Sequence, residues 1–130
     1  MNVKHTPGPW FIWKELAMER EGLDPEEISD ELLYYGSFDI YAGTPKRITR
    51  ASLSGCEHVC DLNTEFSDQS PEVALANARL IAAAPELLEA LQQSERQLAD
   101  AGHDGSQDDA ACRALLIIRA AIAKATGGAA

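Results

Sequence analysis

The chain has 130 residues, 45% of them hydrophobic, with 21 acidic against 11 basic side chains and a formal net charge of -10. That length suits a single globular domain, residues 1–130, which can bury a core without staples. The acidic excess argues against long nucleic acids, whose binding needs many neutralised phosphates, but a small phosphate-bearing ligand needs only two or three well-placed arginines.

At the N-terminus, Pro7, Gly8 and Pro9 interrupt any apolar run after Lys4, so no secretory signal is expected. Residues 5 to 9 read as an extended lead-in to a first strand, Trp10 to Leu16. Asp24-Pro25-Glu26-Glu27 carries a capping residue, a proline at the first helical position and early acids, which predicts a short acidic helix over 25–34 ended by Gly36. Ile28, Leu32 and Leu33 are its apolar stripe. Ser37 to Ala42 alternates, with Phe38, Ile40 and Ala42 on one face and Asp39 and Tyr41 on the other, the pattern of a half-buried strand. Gly43-Thr44-Pro45 is a turn, Arg47 to Leu53 the next strand, Ser54-Gly55 another turn, and Glu57 to Leu62 the last strand.

From residue 70 to 126 the texture changes to Ala, Leu, Glu and Gln. Ser70 caps a helix with Pro71 at its first position, and Val73, Ala76, Leu80 and Ala83 or Ala84 hold helical spacing. Pro85 predicts a kink or break, because it removes an N–H and pushes Ala84 out of helical geometry. A helical hairpin comes next. Its first arm carries Leu87, Leu88, Leu91 and Leu98. Its second is capped by Asp108 or Asp109, carries Cys112, Leu115, Ile118 and Ile122, and closes at Gly127-Gly128. Residues 1–66 are mainly strands and residues 70–126 are helical. The fold class is α+β: a small antiparallel β-meander in the N-terminal half, packed on a C-terminal helical hairpin that is preceded by a helix kinked or broken at Pro85. Leu116, Ile117 and Ala120 widen the apolar surface of the last helix, which points to a homo-oligomer through the C-terminal helices. No apolar run reaches the roughly 18 residues of a membrane span.

Four groups of residues could carry chemistry. Cys56, His58 and Cys60 alternate on a strand, so all three could face one metal ion, with His103 or Cys112 as a fourth ligand. A plain half-buried strand supplies the same spacing, and no metal or other cofactor is assigned. Nor does any nucleophile, base and oxyanion constellation stand out, so an enzyme is not expected. Lys46, Arg47 and Arg50 concentrate positive charge, either blunting a sheet edge or gripping a phosphate. Asn77 and Arg79 sit about 200° apart on a helix, so one packing surface cannot explain both. Trp10 and Trp13 lead the aromatic stock from which a base-stacking ring would come. The three cysteines, with no export signal, suit a reducing compartment.

His5-Thr-Pro-Gly-Pro-Trp10 and Asn77-Ala-Arg-Leu-Ile-Ala-Ala-Ala-Pro-Glu-Leu-Leu88 resemble a widespread group of small phage and prophage proteins. The resemblance carries no catalytic residues; it implies an accessory phage protein acting in the host bacterial cytoplasm. The inferred layout is similar to that of phage anti-defence sponge proteins. That likeness implies binding and sequestration of a small nucleotide-derived signal, a cyclic oligonucleotide or cyclic ADP-ribose type. From their own chemistry, Arg47, Arg50, Asn77, Arg79 and an aromatic such as Trp10 or Trp13 are the candidate contacts. Two other expectations come from the residues themselves. One is an acidic protein-docking inhibitor or DNA mimic acting on a host protein through residues 19–31. The other is a metal-dependent enzyme at Cys56, His58 and Cys60.

Overall fold

In chain order the elements are β1 (Trp10–Ile12), α1 (Trp13–Glu21), α2 (Pro25–Tyr35), β2 (Ser37–Ala42), β3 (Arg47–Ile48), β4 (Leu53–Ser54), β5 (Glu57–Asn63), α3 (Pro71–Ala82), α4 (Ala84–Asp100) and α5 (Ala110–Thr126). The structure, a computed structural model, describes residues 5–64, 69–105 and 109–127. It is an α+β protein with a three-stranded antiparallel sheet in the order β1-β2-β5 and a separate two-stranded ribbon, β3-β4. The chain forms two compact units, one of Thr6–Pro85 and one that takes up the chain from Glu86.

In the first unit, the period-two pattern of β2 sorts its residues as a strand must. Phe38, Ile40 and Ala42 are buried, while Ser37, Asp39 and Tyr41 are not. Phe38 and Ile40 join Ile12, Met18, Ile28, Leu32, Ala74, Leu75 and Ala78 in one apolar core. The helices over that core begin where local chemistry tells them to. Asp24 accepts a hydrogen bond from the Glu27 N–H at 2.9 Å, and Ser70 accepts one from the Val73 N–H at 3.3 Å, each just before a proline at the first helical position. Gly36 ends α2 at φ 65°, in the left-handed region that glycine enters without steric cost.

Three expectations change. The predicted strand Trp10–Leu16 stops at Ile12, and Trp13–Glu21 is a helix. Its residues are mostly strong helix formers, but no side chain caps its start and its buried residues are the neighbours Ala17 and Met18, so neither cap nor stripe announces it. Arg47–Leu53 is not one strand but two strand ends around a turn. The Thr49 hydroxyl accepts from the Ala51 and Ser52 N–H groups at 3.2 and 2.9 Å, folding the backbone back on itself. The resulting ribbon is inserted between β2 and β5, so the meander is interrupted. Helix α3 is also rotated from its expected stripe. Ala74, Leu75 and Ala78 are buried, whereas Val73 and Leu80 are exposed. Both stripes have helical period; the small alanines win because they let the helix approach the sheet closely.

The break at Pro85 is present. Helix α3 ends at Ala82, Ala83 is its C-cap, and α4 starts at Ala84. Gly8, in the lead-in, comes so close to Pro85 that a Cβ there would lie 2.9 Å from the proline Cβ. In the second unit, Asp109 caps α5 by accepting from the Cys112 N–H at 2.8 Å, Cys112 and Leu115 are buried, and Gly127 closes the helix. Asp108 and Gly128, also expected at these ends, lie outside the described residues. No helix among the described residues is long and apolar enough to cross a membrane.

The rotation of α3 has a measurable consequence. Phe38→Ala should cost about 3–5 kcal/mol in urea unfolding, the usual toll for emptying a large core site. Leu80→Ala should stay within about 0.5 kcal/mol, as for other surface changes. A large loss at Leu80 would mean that the expected stripe, not the alanine stripe, faces the core.

Candidate functional site

Because β2 turns Phe38, Ile40 and Ala42 inward, Tyr41 stands on the opposite face of the sheet. Pairing places Phe11 of β1 and His58 of β5 directly beside it, one on each flank. The three rings form a row across all three strands. Phe11 and Tyr41 are stacked with centroids 6.5 Å apart, and His58 meets Tyr41 edge-on at 5.0 Å. Trp13, from the first turn of α1, adds a fourth ring edge-on to Tyr41 at 6.1 Å. Its indole N–H donates to the Thr49 carbonyl at 2.8 Å, which ties the turn of the β3-β4 ribbon to this cluster. Phe11, Trp13 and Tyr41 are half-buried and His58 is exposed. Farther along the same face, Asp39 and Asp61 sit opposite one another, so the sheet surface is aromatic at one end and acidic at the other.

The expected binding residues divide sharply. Arg47, at the base of the ribbon, is exposed and forms no ion pair among the described residues. Arg50 is committed: it bonds Glu21 at 2.8 Å and lies 3.6 Å from Glu31. Its hydrogen bond to Glu21 is the main reason the guanidinium is held above even its ordinary high pKa. Arg79 is committed too. It bonds Glu15 of α1 at 2.9 Å and Ser29 of α2 at 3.1 Å, clamping both helices to α3. Asn77 is half-buried on α3. Trp10 packs against the core and donates its indole N–H to the Thr6 carbonyl at 3.0 Å, closing the lead-in. Of the six residues, Trp13 belongs to the ring cluster, and Arg47, on its ribbon, forms no ion pair among the described residues.

Cys56, His58 and Cys60 do not gather. A register shift between Ile40 and Tyr41 pairs Cys60 with Ile40 and His58 with Tyr41. Cys60 packs against the core while His58 joins the rings outside. Burial pushes both the Cys56 and Cys60 thiols up, away from the thiolate that a metal or a nucleophile requires. The grouping of Phe11, Tyr41 and His58 is obscured in the sequence for the same reason: alternation tells which face Tyr41 takes, but only the pairing register tells which rings flank it.

The geometry defines a small α+β protein whose sheet carries rings on the face opposite its core. Over residues 1–129 the chain matches the model of the family described as Salmonella phage P22 protein Y8K6, and it belongs to that family. It is thus a phage-encoded accessory protein. No curated protein and no solved structure matches the chain.

If Arg79 is a clamp and not a ligand contact, Arg79→Met should lower the unfolding free energy by no more than about 1 kcal/mol, as expected for a partly exposed ion pair. The same variant should keep whatever binding the unaltered protein has in calorimetry. A variant of normal stability that no longer binds would return Arg79 to the site.

Proposed function

We propose that the protein binds and sequesters a small nucleotide-derived signal, of cyclic oligonucleotide or cyclic ADP-ribose type, without chemistry. The observation that carries this reading is the row Phe11-Tyr41-His58 with Trp13 beside it. Aromatic rings in a row across a sheet offer π-surfaces on which a base stacks, and each such contact is worth about 1–3 kcal/mol. Arg47 on the neighbouring ribbon supplies a cation able to grip phosphate with two parallel hydrogen bonds. The Asp39-Asp61 pair repels phosphate from the other end of the face, which orients the ligand with its charge toward the ribbon. Arg50, Arg79 and Trp10 are committed to the fold and are not contacts in this reading.

Oligomerisation through the C-terminal helices belongs to the same reading. On α5, Leu116 is 43% and Ile117 68% exposed. Neighbouring apolar side chains on a helix surface are the usual material of a seam between copies.

Calorimetry against a panel of cyclic oligonucleotides and cyclic ADP-ribose isomers tests the binding. At least one should bind, and Tyr41→Ala should weaken it about tenfold or more. Flat titrations across the panel would sink the proposal. Native mass spectrometry tests the assembly: the unaltered protein should appear as a multimer that Ile117→Glu shifts toward single chains, whereas single chains throughout would remove this part.

A further inference from the structure

The connection between α4 and α5 gathers three side chains of different chemistry. Helix α4 ends in a pair of backbone bonds that fix the path of the chain beyond it. The Gly102 N–H donates to the Ala99 carbonyl at 3.0 Å, and the His103 N–H reaches back to the Leu98 carbonyl at 3.1 Å. Gly102 takes φ 95°, as this double-bonded helix stop demands. His103 is thereby anchored by its own backbone at the end of one helix. At the start of the next, the cap bond from the Cys112 N–H draws the Asp109 carboxylate over the first turn of α5. Cys112 stands in that turn, only 6% exposed, with its sulfur 3.6 Å from His103 Nδ1. One donor atom from each of His103, Asp109 and Cys112 lies within 4.8 Å of the others.

We propose that His103, Asp109 and Cys112 bind a divalent transition-metal ion, zinc by preference. Nitrogen, sulfur and carboxylate oxygen are the donors zinc selects. In a tetrahedral site with bonds of about 2.0–2.3 Å, ligand atoms lie roughly 3.3–3.8 Å apart. The three donors therefore need to close by no more than about 1.5 Å. The charges also balance, since a thiolate and a carboxylate cancel a dication while imidazole stays neutral. The helix terminus suits a carboxylate at Asp109, because the N–H groups of the first turn carry partial positive charge. The bond from the Cys112 N–H uses one Asp109 oxygen and orients the carboxylate, as an outer hydrogen bond does for a metal ligand. Three protein ligands leave the fourth position to water. The ion ties the end of α4 to the start of α5.

Cobalt(II) is the probe, added to full-length reduced protein after chelator treatment. One equivalent should give the thiolate-to-cobalt charge-transfer absorption, and zinc should displace it. Asp109→Asn keeps the cap but loses the charge, so it should fold normally and bind cobalt at least about tenfold more weakly; His103→Ala should do the same. The double variant Cys56→Ser with Cys60→Ser should keep the band. An unaltered protein with no band would overturn the site. So would a band that survives both His103→Ala and Asp109→Asn at full affinity, or one that vanishes with Cys56 and Cys60.

Discussion

The fold of Thr6–Pro85 depends on covering one face of β2. Phe38 and Ile40 are fully buried, and a strand with two such side chains on one face is stable only when another layer lies across it. Helices α1, α2 and α3 supply that cover through Met18, Ile28, Leu32, Leu75 and the close-packing alanines Ala74 and Ala78. Once that face is closed, the alternation of the strand assigns the rest. Tyr41 must stand outside, and pairing gives it Phe11 and His58 as neighbours. The aromatic row is thus a by-product of the core's own geometry.

Charge explains why Arg50 and Arg79 are committed to the fold. In a chain with acids in excess, Arg50 and Arg79 are drawn into holding α1 and α2 by Glu21, Glu31 and Glu15. Part of the acidic segment is in this way neutralised from within, and its helices are positioned by the same contacts. Isolated surface pairs contribute little, but Arg79 bonds both α1 and α2 from α3.

How much of the fold is legible in the residues alone depends on how local each signal is. Asp24, Ser70 and Asp109 announce their helices because a cap is a contact over three positions, and Gly36 and Pro85 act on their immediate neighbours. Helix α1 lacks such a mark, and the aromatic residues at its start suit a strand equally well. The Thr49 turn depends on a hydroxyl folding back, which the β-branched residues around it conceal. The rotation of α3 and the partners of Arg50 and Arg79 are long-range facts, set by which surfaces meet. The same holds for the ring cluster, of which only Trp13 and Arg47 stand out in the sequence as binding residues. The His103, Asp109 and Cys112 group falls between these extremes: each residue sits at a legible helix end, but their meeting depends on how the hairpin closes.

Gly8 and Pro85 bring the two most distinctive stretches of the chain into close contact. Each belongs to one of them, and the space at one is set by the ring of the other. A side chain can be gained at position 8 only if position 85 yields room. The lead-in and the helix break are therefore expected to diverge in step across relatives. Recombination that brings the first ten residues from one lineage and the break from another would join surfaces that were never fitted together.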